Sequence, residues 1–139
     1  MKKIILAAIL AATPALAQLN VNLKQPTVIY GKVISKPFNA GDRVGCDNST
    51  FGDPARGYKK QCYAYPNATA QEGGTLIMPA VGKAFYCVAN VKNVSGATFD
   101  CDNKTFGDPA NGLRKKCYNI RGEEVADEDQ KGISASRLK

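Results

Sequence analysis

Histidine and tryptophan are absent from this chain of 139 residues, methionine occurs twice, and the five cysteines stand far apart. Without histidine there is no imidazole to act as general base or to activate a serine or cysteine nucleophile. The cysteines at 46, 62, 87, 101 and 117 include no closely spaced pair, which argues against structural zinc. Asp47, Asn48 and Asp53, and again Asp102, Asn103 and Asp108, lack the alternate ligand spacing and late glutamate of a calcium loop. No long Lys/Arg run and no nucleic-acid motif is present, so nucleic acid is not an expected partner. The longest apolar run, residues 4–12, has nine residues, half of the roughly 18 that a membrane-spanning helix needs. No metal, cofactor or catalytic residue is expected, and the chain is read as a non-enzyme.

What is present begins with a transport label. Met1, Lys2 and Lys3 precede the apolar run, and Ala15-Leu16-Ala17 offers a small-residue cleavage site. That three-part pattern predicts a signal peptide over residues 1–17 and a secreted or periplasmic protein. Removing Lys2 and Lys3 takes the net charge from +7 to +5, and the remaining basic excess lies before residue 119. A basic surface is compatible with anionic partners without requiring one.

Residues 46–63, CDNSTFGDPARGYKKQCY, return 55 positions later at 101–118 as CDNKTFGDPANGLRKKCY, with 13 of 18 residues identical. The flanks repeat in outline. Residues 19–23 and 27–34 read as strands by alternation and β-branched content, as do 75–79 and 83–94. A shift of 55 sets Tyr30 on Phe85, Val33 on Val88, Gly41 on Gly96 and Val44 on Phe99. The expected fold is therefore all-β, a small disulfide-stapled domain of two tandem β repeats at about 18–65 and 73–118. Residues 65–74 read as a polar connector. Residues 119–139, with five acids and four bases, read as a polar, flexible tail.

Within each copy, Asp-Pro-Ala-x-Gly has two readings. Asp53 could cap a helix with Pro54 at its first position, but Gly57 would weaken so short a helix by about 1 kcal/mol. The favoured reading is a β-hairpin. Asp53 and Asp108 start the turn, Pro54 and Pro109 preset φ, and Gly57 and Gly112 take the left-handed position. A straight hairpin leaves Cys46 about 10 Å along the strand from the partner of Cys62, beyond the roughly 7 Å Cα separation of a disulfide. Either the chain turns at Asp47-Asn48 or the bridges run elsewhere. The duplicated spacing favours Cys46–Cys62 and Cys101–Cys117, each worth about 3 kcal/mol through the loop it closes. Cys87, in the apolar run FYCVA, is expected to be a buried free thiol.

The pattern C-x-N-x-x-F-G-D-P-x-x-G-x-x-K-x-C resembles a short cysteine-bounded element of secreted bacterial proteins, some of them carbohydrate-associated. Two units of about 50 residues, each with one short disulfide loop, also resemble the cyanovirin lectins in layout, though not in residues. The expected function is a secreted, non-enzymatic binding module for an anionic cell-envelope glycan. The alternative is an inhibitor or interaction module that presents rigid hairpins to a protein partner. The candidate ligand surface is Tyr58, Lys59, Lys60 and Tyr63, with Arg114, Lys115, Lys116 and Tyr118, because basic and aromatic side chains together suit acidic sugars. The oligomeric state is not legible.

Overall fold

The computed structural model describes residues 26–138; the expected signal peptide and the strand at 19–23 lie outside the described residues. The order is β1 (Thr27–Phe38), β2 (Arg43–Gly45), a helical turn α1 (Asn48–Phe51), β3 (Gln61–Ala64), β4 (Ala68–Gln71) and β5 (Thr75–Ile77). It then recurs as β6 (Gly82–Asn93), β7 (Thr98–Cys101), α2 (Asn103–Phe106), β8 (Lys116–Tyr118), β9 (Glu124–Asp127) and β10 (Gln130–Ser134), followed by a 3-10 turn (Ala135–Leu138). The fold is all-β, as expected.

The polar connector contains β4, and the segment expected to be a flexible tail carries β9 and β10. Ile120, Val125, Ile133 and Leu138 are buried there. Their wide spacing in a charged sequence hid them. Val125 and Ala126 are buried in the core from β9 and Ile133 from β10.

Strands β1 and β6 form the centre of a six-stranded antiparallel sheet in the order β4-β3-β6-β1-β8-β9. Thr27 pairs with Asn93, and the register runs unbroken to Phe38 with Gly82. Each long strand is flanked by a short strand from the other half of the sequence: β3 pairs with β6, and β8 with β1. The two halves therefore do not close separately. Val28 and Tyr30 of β1 sit in the core with Phe99, Phe106 and Val125. Ala84 and Tyr86 of β6 sit with Val44, Phe51 and Leu76. Two small ribbons, β2–β5 and β7–β10, cover this same sheet face.

The pairing also corrects the alignment of the long strands. Cys62 lies opposite Tyr86, and Cys117 opposite Tyr30. Tyr30 thus corresponds to Tyr86, a shift of 56, while Cys46 and Cys101 keep the shift of 55. The shift of 55 would have turned every side chain of one strand to the wrong face, because strands alternate with period two. The turn after β6 is one residue shorter, which restores the register.

Candidate functional site

The repeated stretch is neither hairpin nor a helix starting at Asp53. Asp47 caps α1 by accepting from the Thr50 amide at 2.8 Å, and Asp102 caps α2 through Thr105 at 2.9 Å. The chain turns there, which brings the Cα atoms of Cys46 and Cys62 to 5.8 Å and those of Cys101 and Cys117 to 6.1 Å. Both expected disulfides are present, and they suit an oxidising compartment. Beyond each helical turn comes an irregular loop. The Asp53 carboxylate accepts from the Ala55 amide, and Asp108 from Ala110. Gly57 and Gly112 take φ of +85° and +83°, the left-handed geometry expected of them. The outgoing strand begins only at Gln61 or Lys116.

Most of the 13 repeated residues serve this scaffold. Phe51 stacks on Tyr86 at 5.3 Å between centroids, and Phe106 on Tyr30 at 5.2 Å. Tyr86 donates to Asn48 Oδ1 and Tyr30 to Asn103 Oδ1, both at 2.6 Å. Lys36 reaches the Thr50 carbonyl and Lys92 the Thr105 carbonyl, tying each helical turn to a long strand. Ala55 and Ala110 meet over Val88, where the two loops pack on one another.

Two predicted ligand residues belong to the scaffold instead. Lys60 is 3% exposed, with Nζ 2.9 Å from Asp53. Lys115 is 2% exposed, 3.0 Å from Asp108 and 3.8 Å from Glu128, and it donates to the carbonyls of Ala110 and Leu113. Buried ammonium groups need such partners, so neither lysine offers itself to a surface ligand. The hydrogen bond from Lys60 holds the Asp53 carboxyl below the usual carboxylate range. Tyr58 is half-buried between the loops and donates to the Asn111 carbonyl at 2.7 Å.

The remaining five converge on two clefts. One, of about 440 Å³, lies at the outer edge of β1 beyond the end of its pairing with β8. Lys32, Val33 and Ile34 form its strand side, Pro54 one wall, and Arg114, Lys116 and Tyr118 the other. The second, of about 320 Å³, lies at the outer edge of β6 beyond β3. Val88, Ala89 and Asn90 form its strand side, Pro109 one wall, and Lys59, Gln61 and Tyr63 the other. Under the strand shift of 56 and the loop shift of 55, these residues correspond one to one. The sequence pointed to the second walls, but β1 and β6 could be added only through the register.

Arg114 and Lys116 pair with Asp127 and Glu124, each at 3.1 Å and partly exposed. Tyr63 is buried and donates to Gln61 Oε1 at 2.6 Å. Tyr118 is half-buried, and desolvation pushes its hydroxyl up to about 12, so it stays protonated. Cys87, in the place of Gly31, is the buried free thiol expected; desolvation pushes it up to about 12. Among the described residues no group of three or more Cys, Asp or Glu is placed to hold a metal ion. No family model, no curated protein and no solved structure matches this chain.

Proposed function

We propose that the chain is a secreted, non-enzymatic binding module that holds segments of a polar envelope glycan in its two clefts. The observation that carries this reading is the pair of equivalently placed clefts, each walled by a proline loop from one half of the sequence and a tyrosine-bearing strand from the other. Their volumes of about 440 and 320 Å³ are large enough to hold a short oligosaccharide segment each. Amide and cationic groups provide hydrogen bonds for hydroxyl-rich rings, and the half-buried Tyr118 adds an aromatic edge at the first cleft. Two sites on one scaffold gain avidity for a repetitive polymer that reaches both. The test is titration of purified envelope polysaccharide. Arg114→Ala with Lys59→Ala is expected to weaken binding by about tenfold or more with an unchanged melting temperature. Equal binding by both proteins, or none by the wild type at low salt, refutes the reading.

A second reading has its own observation. A cavity of about 330 Å³ is lined by Tyr65, Ala80, Val81, Lys83, Arg121 and Glu123. Val81 is 76% exposed and Ile77 54%. Such exposed apolar side chains suit a protein partner. Retention of an envelope protein that Val81→Asp abolishes would favour this reading over the glycan.

A further inference from the structure

The five positions at which the repeated stretches differ are Ser49/Lys104, Arg56/Asn111, Tyr58/Leu113, Lys59/Arg114 and Gln61/Lys116. None of these residues is buried, and the last two pairs line the clefts. On the long strands, Lys32 and Ile34 at the first cleft are answered by Val88 and Asn90 at the second. Pro54/Pro109 and Tyr118/Tyr63 stay the same. The frame is shared and the chemistry is not.

We infer that the clefts are specialised: the β1-edge cleft takes an acidic group of the glycan, and the β6-edge cleft takes a neutral unit of the same chain. This deepens the glycan reading and rests on it. At the β1 edge, Lys32, Arg114 and Lys116 supply only donors and positive charge. Lys32 belongs to no ion pair among the described residues. The Arg114–Asp127 and Lys116–Glu124 pairs are exposed ones, which cost little to exchange for a ligand anion. Asp53, the acid in this wall, is already held by Lys60. The protonated Tyr118 hydroxyl adds a donor and no negative charge.

At the β6 edge, Gln61, Gln71 and Asn90 replace charge with amides. An amide both donates and accepts, as a sugar hydroxyl does. Asn90 Nδ2 donates to the Phe106 carbonyl, which leaves its oxygen as an acceptor; Gln61 Oε1 accepts from Tyr63, which leaves its nitrogen as a donor. Lys59 is the one cation in this lining. Residues directly opposite in a ladder share a face, so Lys116 and Tyr118 lie on the same sheet face as Gln61 and Tyr63. The clefts flank the central strand pair in the places of β3 and β8, about three strand spacings apart, roughly 15 Å, within reach of one short oligosaccharide. Gly31, Val33, Cys87 and Ala89 form the floor between them on that face, and Lys32 and Asn90, which alternate to the opposite face, line the clefts at the open strand edges.

The test titrates the full protein with three probes at low and moderate salt: an oligogalacturonate (carboxylate), a phosphorylated dextran of similar length and an unmodified dextran. The expected result is at least about tenfold tighter binding of one or both acidic probes at low salt, the value of a charged hydrogen bond. The tighter acidic probe identifies carboxylate or phosphate as the group. Lys32→Val with Lys116→Gln writes the β6-edge chemistry into the β1 cleft, and should bring acidic and neutral probes to near parity without weakening the dextran. Asn90→Ala should weaken dextran and leave the acid preference in place. Dextran bound as tightly as the acids by the wild type, or an acid preference that survives the double variant, overturns the specialisation and leaves the glycan reading standing. Binding of no probe at low salt removes both.

Discussion

The two halves differ most in how they hold the same buried lysine. Lys60 has one acidic partner, Asp53, whose side chain is 32% exposed; Glu72 takes only the Lys60 backbone amide. Lys115 has Asp108, a second carboxylate in Glu128 and two backbone carbonyls. The two aspartates are similarly near solvent, 32% and 29% exposed, so the difference lies in Glu128 and the two carbonyls that Lys115 also reaches. The same letters in the sequence thus carry different energies, because Glu128 comes from outside the repeated stretch and the Ala110 and Leu113 carbonyls inside it are bonded by the lysine in this copy.

The largest effect should follow from breaking this difference. Lys115→Met leaves Asp108 and Glu128 without their cation and takes a donor from the Leu113 carbonyl, while the Ala110 carbonyl keeps the Leu113 amide. It should cost about 3–5 kcal/mol, the range for breaking a buried pair. Lys60→Met leaves one carboxylate that water can reach, and should cost roughly 1–3 kcal/mol. Urea unfolding of both variants measures the gap. Equal losses, or a larger loss for Lys60→Met, would show that the additional partners of Lys115 contribute nothing.

The same contrast explains what was legible in the sequence. The duplicated cysteine spacing identified both disulfides, and apolar, β-branched runs identified β1, β5 and β6. Asp47 as a cap was visible only as turn chemistry, since an Asp-Asn pair favours turns and caps alike. The buried roles of Lys60 and Lys115 were not visible, because Asp53 and Asp108 read as turn residues and nothing in the letters shows that the loop folds their carboxylates onto the lysines. Nor was the exchange of β3 and β8 between halves: composition says which segments are strands, and pairing is a property of the whole sheet. The clefts inherit that limit. Their second walls were read from basic and aromatic letters, while Lys32 and Asn90 entered through register alone.

A second, smaller effect sharpens the comparison at the central strands. Gly31 and Cys87 are equivalent positions, yet a Cβ on Gly31 would fall against the Val88 carbonyl and the Ala89 backbone. The strands approach more closely at Gly31 than symmetry with Cys87 implies. Gly31→Ala should therefore destabilise by about 1–3 kcal/mol through forced backbone shifts. Cys87→Ala, which only shortens a buried side chain, should cost less. Thermal melts of the pair decide it, and a neutral Gly31→Ala would mean that β1 can relax toward the geometry of β6.

The smallest effect is a pH dependence that begins in the first half. Asp53 is held below the usual range chiefly by its hydrogen bond to Lys60, and Asp47 by those from Thr50 and Ser49. Asp102 is lowered chiefly by Thr105 and Asp127 by Arg114. A carboxyl depressed in the folded state contributes stability above its unfolded pKa, near 3.9, and loses it as pH falls through the lower folded value. The melting temperature should therefore hold from about pH 7 to about pH 5 as far as these groups decide it, and decline below about pH 4. Asp53→Asn should lower it at neutral pH, since Lys60 loses its anion, and should flatten the acid decline because one depressed carboxyl is gone. Asp47, Asp102 and Asp127 remain, so the decline should shrink without vanishing. Melts of both proteins from about pH 7 down to about pH 2 provide the check. Parallel curves for wild type and Asp53→Asn would mean that Asp53 does not report the lysine pair, and that the acid sensitivity lies in the helix caps shared by both halves.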